Sequence, residues 1–170
     1  MNSKILGRIG VIMIKEVSVQ KVKANAEEFF KRGEYYCSEA IVASIKKNFE
    51  VDMPDEMIAM ASGFPVGIGK TKCTCGAISG AVLSVGYFFG RTKGSNPQDP
   101  RSVKTLELAK ELQEHFRGKN KVSCCSILTK GMDMASGEHK AQCVRFTGEM
   151  AEKTAEIIVR ELNIKNTDVE

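Results

Sequence analysis

The spacing of apolar residues predicts helices along almost the whole chain. Apolar side chains recur every three or four residues from Val19 to Phe30, which is the period of one helix face. A convincing alternation of apolar and polar residues, the pattern of a half-buried strand, is absent. We therefore predict an all-α protein that folds as a compact multi-helix bundle. The predicted helices span residues 16–31, 36–48, 54–61, 76–89, 101–117 and 140–162, with a short segment at 124–128.

Glycines and prolines indicate where several of these helices begin and end. Gly33 is placed to end the first helix, since glycine readily takes the left-handed conformation of a helix end. Asp99 and Pro100 are suited to begin the long helix, which Gly118 would end. The apolar face predicted for that helix consists of Val103, Leu106, Ala109, Leu112 and Phe116.

A glycine-rich loop leads into the most apolar helix of the chain. Residues 63–71 contain three glycines and a proline, which forbid a regular helix. The chain then passes through Cys73 and Cys75 into helix 76–89, whose small residues would let another helix approach closely. We expect this helix in the centre of the core because it is apolar on most sides. It could pack inside a monomer or across a homodimer, and the pattern leaves both open.

Length and hydropathy predict one domain with short flanking segments. We place the domain at residues 16–163, after an N-terminal extension at 1–15 that is partly disordered and before a C-terminal tail at 164–170. Met13 could begin the ordered protein. The apolar run at residues 9–14 is too short for a signal-peptide core, and no segment reaches the roughly 18 apolar residues that a membrane helix needs. We therefore predict a cytoplasmic protein that does not span a membrane.

The net charge does not indicate a nucleic-acid partner. The chain carries a formal charge of +4, and its basic residues are spread along the sequence rather than gathered in one stripe. We therefore expect no nucleic-acid binding.

Six cysteines are the strongest chemical signal in the sequence. They are Cys37, Cys73, Cys75, Cys124, Cys125 and Cys143. In a reducing compartment, thiols serve metal binding, redox chemistry or simple apolar packing. Three of them, Cys37, Cys75 and Cys143, are predicted at or in the first turns of helices, where unpaired backbone N–H groups favour the thiolate. We expect Cys75 to be the most thiolate-like and take it as the candidate redox thiol.

The spacing of the cysteines leaves their chemistry open. Cys-x-x-Cys does not occur, so the fold would have to assemble any metal site from distant segments. Four converging thiolates would suit an iron–sulfur cluster or tetrahedral zinc, whereas two would suit a reversible disulfide. Adjacent Cys124 and Cys125 cannot easily both bind one site, and a disulfide between them would be strained. One of the two is expected to serve the chemistry while the other packs.

Two other patterns are rejected. Gly69-Lys70-Thr71 is similar to the end of a phosphate-binding loop, but Phe64 stands where that motif needs its first glycine. Glu111 and His115 lie four residues apart on one helix, yet a di-iron bundle needs two Glu-x-x-His motifs and further inward glutamates. We interpret them as a solvated helix face, and we predict His115 and His139 to be surface residues rather than ligands.

The order of the cysteines resembles the C-GCAxxG-C-C family of redox-active proteins. The resemblance covers roughly residues 20–162 and rests on Cys37, on Cys75-Gly76-Ala77-x-x-Gly80, and on Cys125 and Cys143. The family motif is written Gly-Cys-Ala, whereas this chain reads Cys-Gly-Ala. The resemblance implies a small bacterial or archaeal protein whose four signature cysteines are redox-active or bind a metal. Its members are similar to the C-terminal portion of split-Soret cytochromes, but covalent haem is not implied because Cys-x-x-Cys-His is absent.

Together these observations predict a redox protein built around four thiols. Cys37, Cys75, Cys125 and Cys143 would converge to bind an iron–sulfur cluster, or less favourably zinc, for electron transfer with a partner protein. Cys73 and Cys124 are less favoured substitutes in that ligand set. Metal-free thiol–disulfide exchange is one alternative, and a structural or interaction protein with buried cysteines is another. The sequence assigns no catalytic acid or base, no substrate and no particular partner.

Overall fold

The computed structural model describes residues 14–168 and confirms the all-α class. Its helices are α1 (Val19–Arg32), α2 (Cys37–Phe49), α3 (Glu56–Ala61), α4 (Gly76–Phe89), α5 (Pro100–Asn120), α6 (Cys125–Leu128) and α7 (Gly137–Leu162). Within residues 14–168, no helix is long and apolar enough to cross a membrane. Of the extension predicted at residues 1–15, residues 1–13, which include the possible start at Met13, lie outside the described residues.

Two short strands join the beginning and the end of the described chain. The strand β1 (Glu16–Val17) pairs in parallel with β2 (Lys165–Asn166). Ile164, just before β2, is buried. The segment after α7 therefore packs against the body of the protein beside the start of α1. The domain limits at residues 16 and 163 stay a prediction.

Capping groups explain the ends of α1. The Ser18 hydroxyl accepts a hydrogen bond from the Lys21 N–H at 3.0 Å, so α1 begins at Val19 and not at the predicted residue 16. Gly33 ends the helix as predicted, with a φ of +75°. The backbone at Glu16 and Val17 is used for strand pairing instead.

The long helix α5 begins as predicted but ends later. The Asp99 carboxylate accepts a hydrogen bond from the Arg101 N–H at 2.8 Å, and Pro100 occupies the first helical position. Gly118 does not end the helix, because glycine tolerates the helical conformation, and α5 continues to Asn120. Lys121, with a φ of +65°, turns the chain away.

The buried face of α5 differs in part from the predicted one. Leu108, Leu112 and Phe116 are buried at intervals of four residues. Val103 and Leu106, which were expected to face the core, are 42% and 68% exposed. The apolar stripe that packs follows the four-residue ridge of the helix, and the two exposed side chains lie off that ridge.

Helix α4 lies in the centre of the bundle, as predicted, in contact with α2, α5 and α7. Most of its side chains are buried. A Cβ atom added at Gly80 would lie 2.4 Å from the Ser38 carbonyl oxygen. This glycine therefore lets the backbone of α4 touch the backbone at the start of α2. The close approach expected from the small residues occurs inside one chain.

Candidate functional site

Four of the six cysteines line one cavity of about 440 Å³. Cys37 is the first residue of α2, Cys75 directly precedes α4, Cys125 is the first residue of α6, and Cys143 lies on α7. Cys75 and Cys125 are buried, whereas Cys37 and Cys143 are half-buried. The fold thus brings together thiols from four separate segments.

The start of α7 differs from the prediction and changes the setting of Cys143. The Ser136 hydroxyl accepts a hydrogen bond from the His139 N–H at 3.1 Å, so α7 begins at Gly137 and not near residue 140. The expectation that Cys143 lies in the first turn of its helix is therefore wrong. Its thiol reaches the cavity from the second turn.

Gly76 makes room for the Cys37 thiol. A Cβ atom at this position would lie 2.5 Å from the Cys37 sulfur and 3.1 Å from the Phe64 carbonyl oxygen. Gly80, one turn further along α4, allows the contact with α2 described above. The run Cys75-Gly76-Ala77-x-x-Gly80 therefore has a physical basis, because its glycines let the first turns of α2 and α4 meet beside the cavity.

The glycine-rich loop forms another wall of the cavity in an uncommon conformation. Its residues 66–70 all have positive φ angles, between 40° and 68°. For a residue with a Cβ atom, this left-handed region costs about 1–2 kcal/mol. Hydrogen bonds from the Gly69 N–H to the Gly63 carbonyl at 2.9 Å, and from the Lys72 N–H to the Val66 carbonyl at 3.0 Å, help to hold the loop.

The tight fold of the loop requires one glycine in particular. A Cβ atom at Gly67 would lie 2.2 Å from the Cys73 backbone nitrogen, and its φ is +67°. The backbone of the loop therefore packs directly against the segment that carries Cys73. The same fold directs the Val66 N–H towards the Cys37 sulfur.

Burial controls the protonation of the cavity thiols. It raises the pKa of Cys37 to about 11, although hydrogen bonds from the Val66 and Ser38 N–H groups act in the opposite direction. Burial also raises the pKa of Cys143 to about 12 and raises that of Cys125. The expectation that Cys75 is the most thiolate-like cysteine is wrong, because burial raises its pKa more than the Ala77 N–H lowers it.

Cys73 and Cys124 lie outside the cavity lining, at the surface. The Cys124 thiol donates a hydrogen bond to the Lys72 carbonyl at 3.3 Å and lies 3.1 Å from the Ser126 hydroxyl. Hydrogen bonds from Ser126 and then from Cys73 lower the pKa of Cys124. Of the two adjacent cysteines, Cys125 is the one that reaches the cavity.

The rest of the cavity wall includes one residue that the sequence reasoning misassigned. His139 lines the cavity, with its Nε2 atom 3.5 Å from the Cys143 sulfur. A His-x-x-x-Cys pattern on one helix would have indicated this contact, but the predicted boundary left His139 in a loop. Two charged residues, Lys70 and Lys72, also line the cavity. The apolar part of the wall includes Phe30, Tyr36, Pro65, Val66, Met134 and Phe146.

The helix face that carries Glu111 and His115 lies away from this site. Arg160 donates hydrogen bonds to both oxygens of the Glu111 carboxylate, at 2.9 and 2.8 Å. The His115 Nε2 atom lies 3.8 Å from the Glu149 carboxylate. Neither side chain is part of the cavity wall.

The donor set of the cavity is chemically suited to a soft metal centre. Thiolates are the ligands of iron–sulfur clusters and of many zinc sites. In the described part of the chain, however, no three Cys, His, Asp or Glu side chains are grouped so that they could hold one metal ion. The thiols share a cavity without surrounding a single point in it.

The family model described as "Putative redox-active protein (C_GCAxxG_C_C)" matches residues 35–157, more than half of the chain. The chain belongs to this family. The cavity cysteines are the four that the order of motifs in the sequence assigned to the family's signature, and the matched range contains all four. Searches among curated proteins and among solved structures found no match.

Proposed function

We propose that this member of a redox-active family is an electron-transfer protein that holds an iron–sulfur cluster with Cys37, Cys75, Cys125 and Cys143. The observation that supports the proposal is the shared cavity of about 440 Å³. One ion would fill little of that space, since a water molecule accounts for about 30 Å³ of liquid volume. The thiols are also not grouped around one point. A cluster is larger and takes its thiolates on different irons, so we favour it over zinc.

The residues around the thiols would suit such a group. When bound, a cluster would supply one-electron transfer. The backbone N–H groups of Val66 and Ala77 act to lower the pKa values of Cys37 and Cys75, against the effect of burial. Hydrogen bonds to sulfur tune cluster potentials, so these N–H groups would tune a bound cluster. The ammonium groups of Lys70 and Lys72 would offset the negative charge of the thiolates. Apolar walls would limit the access of water.

An electron partner and a cytoplasmic setting belong to the same proposal. The described residues hold six free cysteines, and thiols persist most readily in a reducing compartment. The partner would be a protein that accepts or delivers electrons near the cavity.

Thiol–disulfide exchange among the cavity thiols is a second candidate. Cys37 and Cys75 are neighbours, since the Cys37 sulfur lies against Gly76, the residue that directly follows Cys75. Two adjacent thiols could be oxidised to a disulfide. Exchange requires that another disulfide reach the attacking sulfur, and burial of Cys75 restricts that access. We therefore place this candidate second.

The test is anaerobic purification, followed by reconstitution with iron and sulfide. We expect visible thiolate-to-iron absorbance, bound iron and acid-labile sulfide. A serine substitution at any of the four cavity cysteines should remove most of the absorbance. Cys73→Ser and Cys124→Ser are matched controls, since they remove a surface thiol from the same segments, and both should load like the wild type.

Other outcomes would contradict the cluster. Bound zinc without colour would mean a metal site without redox chemistry. A colourless, metal-free protein with a Cys37–Cys75 disulfide after oxidation would favour thiol exchange. The remaining outcome is a protein without metal or disulfide, in which the four cavity thiols react with iodoacetamide only after unfolding. The cavity cysteines would then have a structural role only.

A further inference from the structure

Cys73 and Cys124 form a pair of thiols outside the cavity. Cys73 is exposed and Cys124 is half-buried, and neither lines the cavity. The Cys124 sulfur lies 3.3 Å from the carbonyl oxygen of Lys72, the residue that directly precedes Cys73. This pair has no place in the function proposed above, which uses the other four cysteines.

The backbone holds the pair together on both sides. The Ser126 N–H donates to the Lys72 carbonyl at 2.9 Å, and the Cys75 N–H donates to the Ser123 carbonyl at 2.9 Å. Backbone hydrogen bonds therefore join residues near Cys73 to residues near Cys124. A disulfide needs its two Cα atoms about 4.4–6.8 Å apart, and these two hydrogen bonds keep the segments that carry Cys73 and Cys124 side by side.

We propose that Cys73 and Cys124 are a second redox site, a surface dithiol that is oxidised reversibly by small organic disulfides. One of the two thiolates attacks a sulfur of the small disulfide, whose S–S bond breaks as one small thiolate leaves and a mixed disulfide forms. The other protein thiolate then attacks the protein sulfur of the mixed disulfide. The Cys73–Cys124 bond forms and the second small thiolate leaves.

This exchange balances without another reactant. The protein pair loses two electrons, and the small disulfide gains them as it becomes two thiols. The two protons of the protein thiols end on the two released small thiols. A high ratio of small thiol to small disulfide reverses the reaction, so the pair would report the redox state of its surroundings.

The position of the pair links it to the cavity. Cys75 follows Cys73 by two residues, and Cys125 directly follows Cys124. A Cys73–Cys124 bond would therefore join, covalently, the two segments that carry these cavity thiols. The inference stands without the cluster, since it concerns different sulfur atoms.

The test uses the full chain, equilibrated with mixtures of oxidised and reduced glutathione and quenched with acid. We expect the wild type to lose two alkylatable thiols under native conditions. A non-reducing peptide map should show one link between the peptides that carry Cys73 and Cys124, and fragment ions should locate it at these residues.

Matched variants distinguish the surface pair from its buried neighbours. Cys73→Ser and Cys124→Ser should abolish the link and leave a glutathione adduct on the remaining surface thiol. Cys125→Ser, which changes the adjacent buried thiol, should keep the link. If this variant does not fold, the fragment ions of the wild type still decide between Cys124 and Cys125. A link that survives in Cys73→Ser or Cys124→Ser, or a wild type that shows only glutathione adducts at every ratio, would overturn the proposal.

Discussion

Replacing Gly80 by alanine tests whether a backbone contact brings α2 and α4 together at the cavity. The new Cβ atom would lie 2.4 Å from the Ser38 carbonyl oxygen and 2.8 Å from the Ser38 Cα atom. Both are backbone atoms, so no side-chain rotation can relieve the contact. The two helices would have to move apart, and Cys37, next to Ser38, would move with α2.

The expected magnitude combines two opposing effects. Overpacking of a well-packed core costs about 1–3 kcal/mol. Replacing a helical glycine by alanine raises the free energy of unfolding by about 0.5–1 kcal/mol. We therefore expect Gly80→Ala to lower the free energy of unfolding by up to about 2.5 kcal/mol. Gly86→Ala is the matched control in the same helix, because a Cβ atom there meets nothing within 4 Å. It should raise the free energy of unfolding by about 0.5–1 kcal/mol.

Urea unfolding followed by circular dichroism measures both variants. The difference between them isolates the cost of overpacking, since the change in helix propensity is shared. Cluster loading should also fall in Gly80→Ala and stay unchanged in Gly86→Ala. If both variants gain the same stability, the contact between Gly80 and Ser38 does not position the two helices and the reasoning fails.

Three further predictions concern the cavity and the ion pairs. Gly76→Ala should displace the Cys37 sulfur, 2.5 Å from the new Cβ atom, and lower cluster loading severalfold while circular dichroism shows an unchanged helix content. The affinity for metal should rise as the pH rises from 6 to 9, because the free thiols of Cys37 and Cys143, with pKa values of about 11 and 12, must lose protons to bind metal. Competition with a chelator at each pH measures this affinity. An affinity that does not change with pH would contradict the prediction. The hydrogen bond from Arg160 lowers the pKa of Glu111 to about 2, so the carboxylate stabilises the fold above its ordinary pKa and this contribution is lost as the pH falls towards 2. Glu111→Gln should therefore cost about 1 kcal/mol at pH 7 and little near pH 2 in urea unfolding, whereas an equal cost at both pH values would refute the assignment.

Helix content and most helix positions could be predicted from the sequence because they depend on local patterns. The caps at Gly33 and Asp99 were predicted correctly, since each acts on backbone groups within a few residues. The boundaries at Gly118 and near residue 140 were wrong. A glycine permits a helix end without requiring one, and Ser136 was not recognised as the cap of α7.

The setting of the candidate site was harder to predict. The helix starts suggested a thiolate at Cys75. The pKa of this thiol depends mainly on burial, however, which is a property of the whole fold. The contact of His139 with Cys143 depended on a helix boundary that was misplaced by three residues.

By itself, the sequence determined the all-α class, the central position of helix 76–89 and the resemblance to a family with four signature cysteines. These depend on apolar periodicity, on small residues and on the order of motifs along the chain. The resemblance predicted which four cysteines would meet, and the tertiary structure decided how they meet and where the other two lie. It placed Cys125 in the cavity and its neighbour Cys124 at the surface beside Cys73. The side chains of two adjacent residues point in different directions. Which of Cys124 and Cys125 enters the cavity therefore depends on how distant segments pack against them.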